Sequence, residues 1–155
     1  MKPRMSGNDS VAFLVTQIGT HAARRFAERL TPLKLIPAHV GILGILNRSE
    51  SQSQRQLATT LNMHASRLVA ILDELETLGL LAREANETDR RTYTVRITDK
   101  GRETLAAIGE IGREHNQALC SSLNLEERRQ LAQLLQRIAD EQGLTRGIHP
   151  GYSQI

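Results

Sequence analysis

Two short runs in this 155-residue chain carry side chains whose types and spacing suit chemistry. "HASR", His64 to Arg67, puts an imidazole, a hydroxyl and a guanidinium within one helical turn, and "TDRR", Thr88 to Arg91, puts an acid beside two arginines. Both are equipped to donate hydrogen bonds and meet negative charge. Hydroxyl and guanidinium groups read base edges in a major groove, and an arginine can enter a narrow minor groove or clamp a phosphate bidentately. Asp89 can accept the N–H groups of its own turn and hold one guanidinium while the other projects. The probing role then falls to Arg91, with Arg90 as a lesser phosphate contact. Taken alone, either run also fits a solvated surface, so the elements around them decide.

Other chemistries have little to work with. The five histidines are scattered without metal-ligand spacing, and Cys120 is the single cysteine, which excludes an internal disulfide and a multi-cysteine zinc site. No nucleophile–base pair or phosphate loop appears, so no catalysis, metal or cofactor is expected. Cys120, placed in a late helix, reads as a buried packing thiol. The net charge of +3 permits nucleic-acid binding without requiring it. Aromatic residues make up 3% of the chain, with no Trp, so the core must be mostly aliphatic. No signal-peptide pattern or apolar run near the ~18 residues of a membrane span is present, and a soluble, cytoplasmic protein without membrane contact is expected.

The elements that must position these runs are legible from periodicity. Ser10 or Asp9 can cap a long amphipathic helix carrying Val11, Leu14, Val15, Ile18, Ala22, Phe26 and Leu30. Pro37 opens a second helix, where its missing N–H costs nothing. Ser53 and Gln56 form a capping box before Leu57 and Leu61; the chain breaks at Asn62-Met63; a longer helix then runs from His64 to Leu78 and stops at Gly79. A short helix, a tight turn and a longer helix make a helix-turn-helix. Strands over Leu80–Glu84 and Thr92–Thr98, joined by "ANETDRR", complete a winged helix. Within the His64–Leu78 helix, His64, Ser66 and Arg67 lie in the half suited to enter a groove, whereas Asp73, Glu74 and Glu76 would repel DNA.

From Leu57 to Gly101 the chain resembles the multiple antibiotic resistance regulator (MarR) family. The resemblance rests on "QLATTLNM", "LDELETLGLLAR", "DRR" and "VRITDKG", and above all on Gly79-Leu80-Leu81 with Arg83 and on Asp89 with Arg91. It implies a homodimeric winged-helix transcription regulator that binds a near-palindromic operator in double-stranded DNA, usually as a repressor released by a small phenolic or carboxylic effector. Many members carry a hydroxyl residue followed by Arg where this chain has Val69-Ala70, and Arg67 is expected to substitute. His21, Arg24, His39 and His115 lie on helices that enclose an effector pocket in the family. Their ordinary role would be structural or on the surface. A winged-helix module that binds a protein partner is the alternative.

The expected fold is mainly α with a small β-hairpin wing. Residues 1–34 form an N-terminal dimerisation helix, 35–100 the DNA-binding winged helix, 101–142 the C-terminal dimerisation helices, and 143–155 a loose tail or an arm on the partner.

Overall fold

The computed structural model describes residues 10–49, 51–88 and 92–153. In chain order the elements are α1 (Val11–Leu30), α2 (Pro37–Arg48), β1 (Gln52–Ser53), α3 (Gln54–Leu61), α4 (Ala65–Thr77), β2 (Leu81–Ala85), β3 (Tyr93–Ile97), α5 (Asp99–Leu119) and α6 (Leu125–Glu141). The mainly helical class with a small β wing is the expected one. The wing strands lie within a residue or two of their expected positions, and β1 is an addition. It pairs antiparallel with β3, Gln52 opposite Val95, so the sheet has three strands in the order β1-β3-β2. A two-residue strand has no periodicity to betray it.

Local caps set the helix ends. Ser10 accepts a hydrogen bond from Phe13 N–H to start α1, and Pro37 occupies the first turn of α2. In α3, Ser53 Oγ accepts from Gln56 N–H at 3.1 Å while Gln56 Oε1 accepts from Ser53 N–H at 2.8 Å. Asn124 and Glu127 repeat that box at α6. The winged-helix core is aliphatic: Ile42, Leu43, Leu46, Leu57, Leu72, Leu75 and Val95 are fully buried. Each such side chain contributes on the order of 1.5–3 kcal/mol of apolar burial.

The "ITDKG" run fastens the sheet to the recognition lobe. Gly79, at φ +73°, ends α4 in the left-handed region. Thr98 Oγ1 donates to the Gly79 carbonyl at 2.7 Å and accepts from Gly101 N–H at 3.0 Å, capping α5. Lys100 Nζ donates to the Leu78 carbonyl at 2.7 Å, a cation at the negative end of α4. A methyl group at Gly101 would lie 2.1 Å from the Leu80 carbonyl oxygen, so only glycine fits there.

α5 packs on both α1 and α2. α1 nevertheless leaves Val11, Phe13, Leu14, Val15 and Ile18 exposed, and α6 has no buried residue at all. Leu134 and Ile138, one turn apart on α6, are 53% and 47% exposed. Among the described residues these apolar side chains of α1 and α6 are left uncovered in a single chain.

Residues 143–153, expected as a loose tail or partner arm, instead fold back on their own chain. Gly143 at φ +69° and Gly147 at φ +73° reverse its direction, Arg146 pairs with Asp140 at 2.6 Å, and Ile148 and Tyr152 pack against the core. Cys120, expected to be buried, is half-buried at the C-terminal end of α5. No single helix among the described residues is long and apolar enough to cross a membrane.

Candidate nucleic-acid interface and adjoining cavity

The turn between α3 and α4 is made by Asn62, at φ +48°, whose N–H is donated to Thr59 O at 3.1 Å. Asparagine tolerates that left-handed position better than most residues. The turn delivers His64 as the residue before α4, exposed and with no side-chain cap bond, so the first N–H groups of α4 remain open to an anion. Ser66, Val69 and Ala70 are exposed beyond it, while Leu68, Ile71, Leu72 and Leu75 face the core.

Arg67 departs from expectation. It is half-buried and lines a cavity against α1, rather than standing with Ser66 and Ala70 on the exposed face. The helical rotation that carries Leu68 and Leu72 inward brings Arg67 to the flank of α4.

The acids of α4 are engaged by the protein itself. Arg83, on β2, meets Asp73 at 2.6 Å and Glu76 through two further hydrogen bonds, which bind the wing to the recognition helix. The guanidinium bonds draw the Glu76 carboxyl below its ordinary pKa. Glu74 Oε2 lies 2.8 Å from Nε2 of His39 on α2. His39 is 2% exposed, and its Nδ1 accepts from Ile36 N–H at 3.2 Å. That places the ring proton on Nε2, donated to Glu74. Burial lowers the His39 pKa despite the carboxylate beside it. His39, expected near an effector, therefore serves as a buried tie between α2 and the recognition helix.

In the wing, Asn86 Oδ1 accepts from Thr88 N–H at 3.0 Å and Asn86 N–H is donated to Thr92 O at 2.9 Å, starting the turn. Asp89, Arg90 and Arg91 lie outside the described residues. Between α3 and the wing strands is an open polar recess of about 600 Å³ whose walls include Ser53, Arg55, Thr59, Asn86 and Thr94. The sequence reading missed Arg55 and this recess. Its one available signal was a cation in the first turn of the first helix of the motif.

The second cavity, about 660 Å³, lies between α1, α2 and α4 and is walled by Ala22, Phe26, Ala27, Pro37 and Ala38. Arg24, Arg67, His115, His149 and Tyr152 also line it. Of the four residues expected around an effector, Arg24 and His115 are on its wall, His39 is in the core, and His21 is exposed and off the wall. The His115 ring stands 5.5 Å from that of Phe26, tilted by 40°. Burial, then Arg29, Arg25 and His21, lower its pKa. Among the described residues no group of three or more His, Cys, Asp or Glu could hold a metal ion.

Residues 33–92 match the sequence model of the MarR family. A relative from Thauera aromatica, named as a candidate transcriptional regulatory protein for the hcr operon, is 31% identical over 118 residues, covering 76% of this chain and 71% of that protein. The chain belongs to the MarR family of transcription regulators. Solved structures agree on the fold. Apo MarR from E. coli superposes with a TM-score of 0.75 at 23% identity, covering 83% of this chain and 96% of that one. The transcriptional repressor CouR, bound to a 23-mer DNA duplex, superposes with a TM-score of 0.74 at 29% identity, covering 88% of this chain and 99% of that one. Within this MarR family chain, the residues that carried the resemblance do structural work: Arg83 fastens the wing to α4, and Thr98, Lys100 and Gly101 lock α5 beneath it.

Proposed function

We propose that this MarR family protein is a homodimeric, ligand-responsive repressor acting in the cytoplasm on a near-palindromic operator. The observation that carries the DNA-binding part is the first turn of α4. It is exposed, uncapped by any side chain and carries no acid, and the acids farther along the helix, Asp73, Glu74 and Glu76, are held by Arg83 and His39. His64 and Ser66 supply polar contacts there. Val69 and Ala70, in place of the hydroxyl residue and Arg of many members, offer methyl groups that suit the thymine methyl in the major groove. Arg55 and the polar recess face the flanking phosphates, and Arg91 of the wing probes the minor groove with Arg90 on phosphate.

The uncovered apolar faces of α1 and α6 support the dimer. A second copy is the economical cover, since a two-fold interface uses the same patch twice and presents two recognition helices to half-sites about one helical turn apart. The cavity between α1, α2 and α4 supports a small phenolic or carboxylic effector.

The test is a mobility shift on a duplex from the gene's own promoter, run across a salt series. Saturable, sequence-dependent binding that weakens steeply with salt is expected, and Arg91→Ala should weaken it about tenfold or more without lowering the melting temperature. Sequence-independent or absent binding by the wild-type protein overturns the reading and leaves a protein-binding module. A large loss of melting temperature with unchanged operator affinity would make Arg91 structural.

A further inference from the structure

We propose that the C-terminal segment, through His149, Gly151 and Tyr152, is a working wall of the effector cavity, and that with Arg67 it selects a compact organic anion with an apolar body. This rests on the effector reading above and adds to it the elements that choose the ligand.

The segment is built into place. A methyl group at Gly41 of α2 would lie 2.5 Å from Tyr152 Cε2, so the ring is seated on the glycine and a larger residue there would displace it. Ile148 packs against the core beside it. His149 stands 5.5 Å from the Tyr152 ring, and its Nδ1 accepts from Gly151 N–H at 3.0 Å, which leaves Nε2 as the donor. The two left-handed glycines and the Arg146–Asp140 pair set the path that brings this segment back from the end of α6.

The charge of the lining fixes the ligand class. Cationic and donor groups come from α1, α4, α5 and the C-terminal segment, and among the described residues no Asp or Glu is on the wall. Arg24 is already paired with Glu28 at 3.4 Å and its side chain is 73% exposed. Arg67 is half-buried and has no carboxylate partner among the described residues. A half-buried guanidinium without a partner is most favourably completed by an anion that presents two oxygens. The Tyr152 phenol, pushed up by burial, stays protonated and able to donate a second bond. A flat apolar body then rests on the Ala, Pro and Phe side chains.

The probes are 8-anilinonaphthalene-1-sulfonate, an apolar anion, and N-phenyl-1-naphthylamine, the same body without the sulfonate. Both are titrated by fluorescence into the full-length protein. The wild type should bind the sulfonate about tenfold more tightly than the neutral amine. Arg67→Gln should remove that preference, and Tyr152→Ala and Gly41→Ala should each weaken the sulfonate about tenfold. Should Tyr152→Ala lose its cooperative melt, Tyr152→Leu keeps apolar packing while removing the phenol. Wild-type or tighter sulfonate binding by the Tyr152 variants overturns the role of the segment, and equal affinity of the two probes for wild type overturns the anion. Neither result touches operator binding, whose failure in the mobility shift would be seen separately.

Discussion

Replacing His39 with leucine removes one buried acceptor and one buried donor while keeping similar bulk. In the native protein Nδ1 takes the N–H of Ile36 and Nε2 donates to Glu74 across 35 residues of sequence. Losing the acceptor strands an amide that is only part-buried, which costs about 1–2 kcal/mol; losing the bond to the half-exposed Glu74 costs about 1 more. The sum, roughly 2–3 kcal/mol, corresponds to a melting temperature about 5–10 °C lower in a chain of this size.

The sign with pH is fixed by the depressed His39 pKa. Below the ordinary value near 6.5 the unfolded chain takes a proton that the buried ring refuses, so wild-type stability falls as pH drops and levels off once the folded pKa is passed. The slope cannot exceed about 1.4 kcal/mol per pH unit for one group. His115 is shifted in the same direction and contributes the same sign, but it is present in both proteins. The gap between wild type and His39→Leu therefore isolates His39. Thermal melts from pH 8 to 5 should show a gap that is widest above pH 7 and narrows in acid. Parallel curves, or a variant as stable as wild type at pH 8, would refute the His39 tautomer and its pairing with Glu74.

Further outcomes follow from single contacts. Gly101→Ala forces a methyl against the Leu80 carbonyl and Ile97, and should cost about 1–3 kcal/mol, read as a lower denaturant midpoint. Paired Leu134→Glu and Ile138→Glu substitutions place charge on the uncovered face of α6, and light scattering should find monomer with operator affinity down at least about tenfold. A variant that stays dimeric would move the interface elsewhere. Arg83→Met keeps the apolar stem but frees Asp73 and Glu76, both partly exposed, so the stability cost should be modest, about 1 kcal/mol. Operator affinity should fall more than stability does, because two carboxylates on the recognition helix lose their counter-charge.

The parts of this fold set by local chemistry were readable in the chain. Ser53 with Gln56, Asn124 with Glu127, and Gly79 each mark a helix end through bonds that span three residues or a backbone region only glycine enters freely. The parts set by distant partners were not. β1 exists because Gln52 meets Val95, and no two-residue pattern announces that. His39 was legible as a titratable side chain on a helix, but its partner Glu74 is a tertiary fact. Arg67 was legible as a cation in the first half of α4, but its place on the cavity wall depends on the rotation set by the buried leucines. The C-terminal segment looked loose for its glycines, yet those glycines make the turns that return it to Gly41.

The position of Arg67 bears on how the proposed regulator would answer to both a ligand and DNA. The recognition helix is held at three points: Arg83 joins it to the wing, His39 joins it to α2, and Arg67 brings it to the cavity. Two of these converge, because the start of α2, Ile36 to Ala38, is cavity wall and His39 is the next residue. An effector therefore needs no long pathway to reach α4. In the proposed dimer, an effector would shift the spacing of the two recognition helices only by the difference between its contacts in the DNA-competent arrangement and those in the other. Arg67 supplies such a difference, since a guanidinium fixed by a bound anion constrains the flank of α4 directly. A coupling of about 1–3 kcal/mol suffices for a 5- to 150-fold change in operator affinity. By reciprocity, operator DNA must loosen the effector by the same factor, so a probe titration repeated with saturating operator measures this coupling from the opposite side.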